Sequence, residues 1–178
     1  MMPRLMLQPL LSEKRSLTYA VILQVWFIVA IYAVCHDQYI VRIAPEHFTI
    51  YHDPLLGIED PTTLAAVYAF GASFSPGLLL GFCCAAAARG GEWPKVRVRR
   101  ILLGVFVVVL ATEVVAASSG YIVYKSGRGI YPASWYPTST LPMLITQTIQ
   151  VTCYLAAAMF SSVFLAGLLV YRHRKRGE

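Results

Sequence analysis

Four long apolar segments constrain this chain more than any other feature of its sequence. Each is long enough to cross the hydrocarbon core of a bilayer as a helix, which takes about 20 residues. The segments cover residues 16–35, 62–88, 101–124 and 143–171. Of the 178 residues, 57% are hydrophobic and 13% are charged, whereas a soluble domain is only about 45–50% apolar. We therefore predict an all-α membrane protein, in which residues 1–178 form a single four-transmembrane-helix bundle.

The positions of the basic residues predict the orientation of this bundle. Twelve of the 15 Lys and Arg residues lie before the first span, between the second and third spans, or after the fourth span. They are Arg4, Lys14, Arg15, Arg89, Lys95, Arg97, Arg99, Arg100, Arg172, Arg174, Lys175 and Arg176. These three segments share one side of the membrane, which the positive-inside rule makes cytoplasmic. Both termini are then cytoplasmic, and the basic clusters contact lipid headgroups rather than nucleic acid. The short loops and the frequent Ala, Val and Arg point to a bacterial inner (plasma) membrane.

The two loops on the extracytoplasmic side differ in charge. The loop 36–61 contains five acidic residues and one basic residue, whereas the loop 125–142 contains Lys125, Arg128 and no acid. Attraction between the acidic and the basic loop favours their docking against each other as a small outer cap, although an exposed ion pair contributes only about 0–1 kcal/mol. Within the first loop, residues 38–43 alternate polar and apolar side chains, a pattern typical of a short strand.

The second span carries a ridge of small residues at four-residue spacing. Its members are Ala69, Ser73, Gly77, Gly81 and Ala85. Such a ridge lets two helices approach closely, so we expect this span to be the central packing helix. Asp60 and Pro61 are typical of a helix start, and Pro76 predicts a break in the helix.

Glu113 is the only carboxylate within the predicted spans. At about 1.5 Å per residue it lies roughly 16 Å from the outer end of the third span, near the bilayer midplane. The other spans place polar side chains at or near this depth: Gln24, Ser73, Gln147 and Gln150. No Lys, Arg or His lies within the predicted spans to pair with Glu113. It is then a neutral carboxyl that bonds to these side chains, part of an interface with a partner subunit, or a proton or cation site, because intramembrane acids mark ion routes.

Histidines in the first outer loop form a second candidate site. His and Asp side chains are ligands for zinc or copper, and His47 and His52, with either His36 or Asp53, could converge on such a metal. The spacing fits no established metal signature, so a hydrogen-bonded polar loop is the alternative, and we predict no cofactor. The four cysteines form no disulfide framework, and the chain lacks the motifs of common enzyme classes. We therefore expect no enzymatic activity.

Two functions follow from these features. The first is a non-enzymatic structural or accessory subunit that packs with partner membrane proteins, or with itself, through the small-residue ridge and the outer cap. The alternative is an oligomeric proton- or cation-conducting protein that uses Glu113. A metal-dependent activity at the outer face is a third, weaker hypothesis.

Overall fold

The computed structural model describes residues 13–52 and 55–177, so Arg4 and Asp53, named above, lie outside it. This part of the chain is helical and contains no strand. The α-helices are α1 (Arg15–Ile43), α2 (Glu46–Thr49), α3 (Pro61–Ala72), α4 (Phe74–Arg89), α5 (Val98–Ser126) and α6 (Leu141–Lys175), and a 3-10 turn covers Ala133–Trp135. Four helical stretches are long and apolar enough to cross a membrane: α1, α3 with α4, α5 and α6. This confirms the all-helical, four-span prediction and suggests an integral membrane protein.

The four stretches run antiparallel, and their basic flanks meet at one end of the bundle. There the Glu13 carboxylate lies 3.1 Å from Arg89 Nη2 and 2.7 Å from Lys95 Nζ. The hydrogen bond from Lys95, with help from Arg89, lowers the pKa of Glu13. Arg100 Nη1 donates to Tyr171 Oη over 2.7 Å at the same end. We call this the basic end, and we call the opposite end, which carries the segments 44–60 and 127–140, the histidine end.

The second span begins where its sequence predicts and is interrupted once. Asp60 caps α3 by accepting hydrogen bonds from the backbone N–H and the hydroxyl of Thr63, at 2.7 and 2.6 Å. Helix α3 ends at Ala72 and α4 begins at Phe74. The interruption lies at Ser73, three residues before Pro76. Proline has no backbone N–H, so it cannot donate the helical hydrogen bond to the preceding turn.

The small-residue ridge packs against α1 of the same chain. All five ridge residues are buried. A Cβ on Gly77 would lie 2.8 Å from the Trp26 ring, and one on Gly81 would lie 2.7 Å from the backbone oxygen of Ile22. The two backbones can approach this closely only because these positions lack side chains.

Helix α1 continues eight residues beyond the predicted span, from Cys35 to Ile43. The predicted strand at 38–43 is therefore wrong. Ile40 and Val41 are buried in an apolar cluster with Phe48 and Leu64, whereas Arg42 is exposed and donates to the carbonyl of Gln38 one turn earlier. The alternation in sequence reflects the two faces of an amphipathic helix rather than the two faces of a sheet.

The apolar core has two parts along the bundle axis. The part nearer the basic end consists of Val21, Val25, Cys84, Ala85, Ala88, Val96, Ile101, Val105 and Leu168. The part nearer the histidine end consists of Ile40, Val41, Phe48, Leu64, Ala65, Ala116, Ile149 and Cys153. Polar side chains of α1, α5 and α6 lie beside this second part.

Arg172, in the last turn of α6, closes the basic end. It is 2% exposed. Its guanidinium donates to the carbonyl oxygens of Pro94 at 3.0 Å, Ala87 at 2.9 Å and Trp93 at 3.1 Å, and also to that of Gly90. Two of these carbonyls belong to Ala87, in the final turn of α4, and to Gly90, its C-cap. Carbonyl groups at a helix end have no partner within the helix. Arg172 therefore holds α6 to the α4–α5 link instead of facing lipid headgroups.

The segment 127–140 folds back along α6. Tyr131 Oη lies 2.8 Å from Thr152 Oγ1, and Tyr136 Oη lies 2.9 Å from Thr148 Oγ1. Across the two described ranges, no ion pair joins this segment to the segment 44–60, and Lys125 instead packs over the ring of Tyr121. The contacts that hold the segment are thus tyrosine–threonine hydrogen bonds rather than the predicted attraction between oppositely charged loops.

Candidate functional site

Glu113 on α5 is paired with His36 on α1. Glu113 Oε2 lies 2.8 Å from His36 Nδ1. The His36 side chain is 3% exposed and that of Glu113 is 29% exposed. The prediction that no histidine lies in a spanning helix is wrong, because α1 does not end at Cys35 and carries His36 into the bundle. Glu113 therefore has an ionisable partner in the bundle.

Hydroxyl and thiol groups surround this pair. Tyr39 Oη lies 3.3 Å from His36 Nδ1, and Tyr32 Oη lies 3.1 Å from Cys153 Sγ on α6. Both tyrosines also interact electrostatically with the Glu113 carboxylate. The carboxylate thus has an imidazole and two phenols as neighbours, each of which can donate a proton to it.

Asp37, the residue after His36, joins α1 to α6. Gln150 Nε2 donates to Asp37 Oδ1 over 3.1 Å. Asp37 also interacts electrostatically with His36 and with His52. Because His36 is buried and His52 is exposed, Asp37 interacts with one imidazole inside the bundle and one at the surface of the histidine end.

The other residues of the predicted polar layer lie elsewhere. Gln24 is exposed and precedes His36 by twelve residues on α1, roughly 18 Å along the axis. Ser73, at the interruption between α3 and α4, is buried and donates to the carbonyl of Phe70 in α3 over 2.6 Å. Gln147 is half-buried one turn from Gln150. Of the four predicted companions of Glu113, only Gln150 belongs to this network, through Asp37.

The contact between Gln38 and Thr62 shows where the site lies along the bundle. Gln38 Nε2 donates to the carbonyl oxygen of Thr62, the second residue of α3, over 3.1 Å. His36 precedes Gln38 by two residues, so the His36–Glu113 pair lies about 3 Å from this level. Helix α5 nevertheless continues from Glu113 to Ser126, about 20 Å further. At the histidine end, α5 therefore extends well past the start of α3. The distance from Glu113 to the end of α5 is much larger than the distance from Glu113 to the level where α3 begins.

The predicted metal ligands are divided between different contacts. The rings of His47 and His52 are 4.8 Å apart, and His52 Nδ1 lies 2.6 Å from the backbone oxygen of His47. His36 is instead bonded to Glu113, and Asp53 lies outside the described residues. Within residues 13–52 and 55–177, no three His, Cys, Asp or Glu side chains come together to hold a metal ion.

One atom of the central pair has no hydrogen-bond partner among the described residues. His36 Nε2 is buried, although Nδ1 of the same ring is bonded to Glu113. Buried polar atoms in proteins are normally paired with protein or water. This nitrogen can therefore accept or donate a proton without breaking a bond to another protein group.

Tyr32, Tyr39 and Asp37 were not predicted as site residues, and His36 was predicted only as a candidate metal ligand. The signal was present, because Tyr32, His36 and Tyr39 follow an i, i+4, i+7 spacing that places them on one helical face. It was overlooked because the apolar run was taken to end at Cys35.

Comparison with known proteins adds no assignment: no family model, curated protein or solved structure matches this chain.

Proposed function

We propose that this chain is an integral membrane protein that moves protons, with the His36–Glu113 pair as the proton-binding site. The observation that carries the proposal is the 2.8 Å contact between His36 Nδ1 and Glu113 Oε2 inside a bundle of apolar helices. A hydrogen bond between these two atoms gives a proton a direct path from the imidazole to the carboxylate or back. Acid and histidine side chains in series are the usual elements of proton relays in membrane proteins.

Stability alone is a weak reason for such a pair. Removing a carboxylate and an imidazole from water has a large desolvation cost, which their attraction offsets only with good geometry. A pair of amide or hydroxyl side chains would join α1 to α5 without a titrating group. Two ionisable residues at this position are therefore better explained by the exchange of a proton than by adhesion between helices.

The basic end supports a cytoplasmic location for both termini. Lys14, Arg15, Arg89, Lys95, Arg97, Arg99, Arg100, Arg172, Arg174, Lys175 and Arg176 flank the helices at this end. The positive-inside rule then directs the histidine end away from the cytoplasm. We keep the bacterial inner membrane as the proposed location. Protection of a C-terminal tag from protease in intact cells tests this orientation, and cleavage of that tag would contradict it.

An accessory subunit that packs through its small-residue ridge has less support. In this fold α1 of the same chain covers Gly77 and Gly81, so these positions are not free to receive a partner helix. Assembly with itself or with other membrane proteins remains a proposal, since four helices enclose little space for a pore. A stable monomer that recovers no partner in mild detergent would count against assembly.

Proton flux in proteoliposomes tests the proposed function. The parent protein should dissipate an imposed pH gradient, and Glu113→Gln and His36→Gln should reduce the flux to that of empty liposomes. Glu92→Gln is the matched control, because Glu92 is an exposed carboxylate at the basic end. Parental flux in Glu113→Gln, or no flux in the parent protein, would overturn the proposal.

A further inference from the structure

We propose that, in this conformation, the His36–Glu113 pair exchanges protons only with the histidine end, through Asp37 and His52. The inference rests on the proposed function in one respect, since both treat Glu113 as a proton site. It adds the route and the side from which the proton comes.

The route consists of titratable groups placed in series. Asp37 is adjacent to His36, interacts electrostatically with it and with His52, and is held by Gln150 at 3.1 Å. His52 is exposed, packs edge-on against the ring of His47 and lies at a tilt against the ring of Tyr68 on α3. A carboxylate that interacts with two imidazoles, one buried and one exposed, can serve as the intermediate acceptor for a proton that moves between them.

The titratable groups that face the pair extend toward the basic end only as far as Tyr32 and Cys153. The titratable and charged groups around it are Tyr32, Asp37 and Tyr39 from α1, Cys153 from α6, and His52 from the segment after α2. Tyr154 on α6 also interacts with Asp37. The unpaired Nε2 of His36 gives the pair one further position for an incoming proton.

Toward the basic end the bundle is closed by apolar packing. From Glu113 to Ile101, α5 covers about 18 Å, and it contains no acid, histidine or basic residue over that distance. Ile101 and Val105 pack there with Val21, Val25 and Leu168. Neither residues 16–35 of α1 nor residues 154–171 of α6 contain a carboxylate, imidazole or amine. A proton crossing this layer would need a relay that the described residues do not provide.

Sided pH jumps on oriented vesicles test the inference. The infrared carbonyl band of protonated Glu113, assigned by its absence in Glu113→Gln, reports the protonation of the site directly. A jump on the histidine side should shift this band rapidly in the parent protein, whereas the same jump on the basic side should not. An equally fast response from the basic side would overturn the sidedness.

Two variants test the route itself. Asp37→Asn should slow the response of the band by at least about tenfold, because the intermediate proton acceptor is lost. Glu46→Gln is the matched control, since Glu46 is an acid of α2 at the same end, and it should respond at the parental rate. If Asp37→Asn fails to fold, the exposed His52→Gln serves instead, and a parental rate in that variant would overturn the route.

Failure of the two proposals is distinguishable. Sidedness is read from Glu113 itself and needs no net flux, so a protein without flux could still respond from one side only. A parent protein that conducts protons but responds equally from both sides would retain the proposed function and lose this inference. A parent without a Glu113-dependent band would overturn both.

Discussion

A methyl group on Gly81 would lie 2.7 Å from the backbone oxygen of Ile22 and 2.8 Å from its Cα. Contacts this short are essentially absent from packed proteins, and both atoms belong to the backbone of α1, which cannot turn aside. The close approach of α1 and α4 therefore depends on the missing side chain at this position.

Gly81→Ala should destabilise the protein by about 1–3 kcal/mol, because the two helices must move apart to accept the new methyl group. The matched control is Gly71→Ala, since Gly71 is helical and a Cβ there meets nothing within 4 Å. That control should be neutral or slightly stabilising. Unfolding of both variants in detergent checks the prediction, and equal stability would contradict it.

Replacement of Arg172 should loosen the basic end. Arg172→Gln leaves several of the carbonyl oxygens that accept from the guanidinium without a donor, and hydrogen bonds to charged groups are each worth about 1.5–3 kcal/mol. We expect a loss of at least about 2 kcal/mol in the free energy of unfolding. Arg174→Gln removes an exposed guanidinium of the same helix and should change little. A similar loss in both variants would refute a specific role for Arg172.

The contact between His36 and Glu113 should be visible as energetic coupling. In a double-mutant cycle with His36→Gln and Glu113→Gln, we expect a coupling free energy of about 0.5–3 kcal/mol, since each single variant leaves its partner without its main bond. Unfolding in detergent at neutral pH provides the four free energies. Strict additivity would show that the two side chains do not interact in the folded protein.

His47 should make stability depend on pH at the histidine end. Burial, with a smaller contribution from His52, lowers the pKa of His47 from 6.5 to about 4. The unfolded chain then binds more protons than the folded protein between these values. Stability is therefore complete above about pH 6.5 and falls as the pH drops toward 4, by at most about 3 kcal/mol.

The pH effect can be assigned by comparing variants. Between about pH 7 and pH 5, the parent protein should lose more stability than His47→Gln, in which the titrating group is absent. His173→Gln, which replaces an exposed histidine at the basic end, should keep the parental pH dependence. The same loss in the parent protein and in His47→Gln would contradict this role for His47.

The amino-acid sequence by itself determined the number of spanning helices and much of their extent. Apolar length decides both, because every backbone polar group inside a bilayer must be satisfied within the segment itself. Local chemistry also sufficed for the start of α3 at Asp60 and for the interruption before Pro76. These features depend on residues a few positions apart, so the pattern of side chains contains the necessary information.

Only the tertiary structure decided the partner of Glu113 and the occupant of the small-residue ridge. His36 meets Glu113 because α1 continues past its apolar run and because the two helices pack with a particular offset along their axes. That offset depends on side-chain packing between segments 77 positions apart, and no local pattern specifies it. For the same reason, counting residues from helix ends placed Gln24 and Ser73 at the depth of Glu113, whereas the packed helices hold them at other levels.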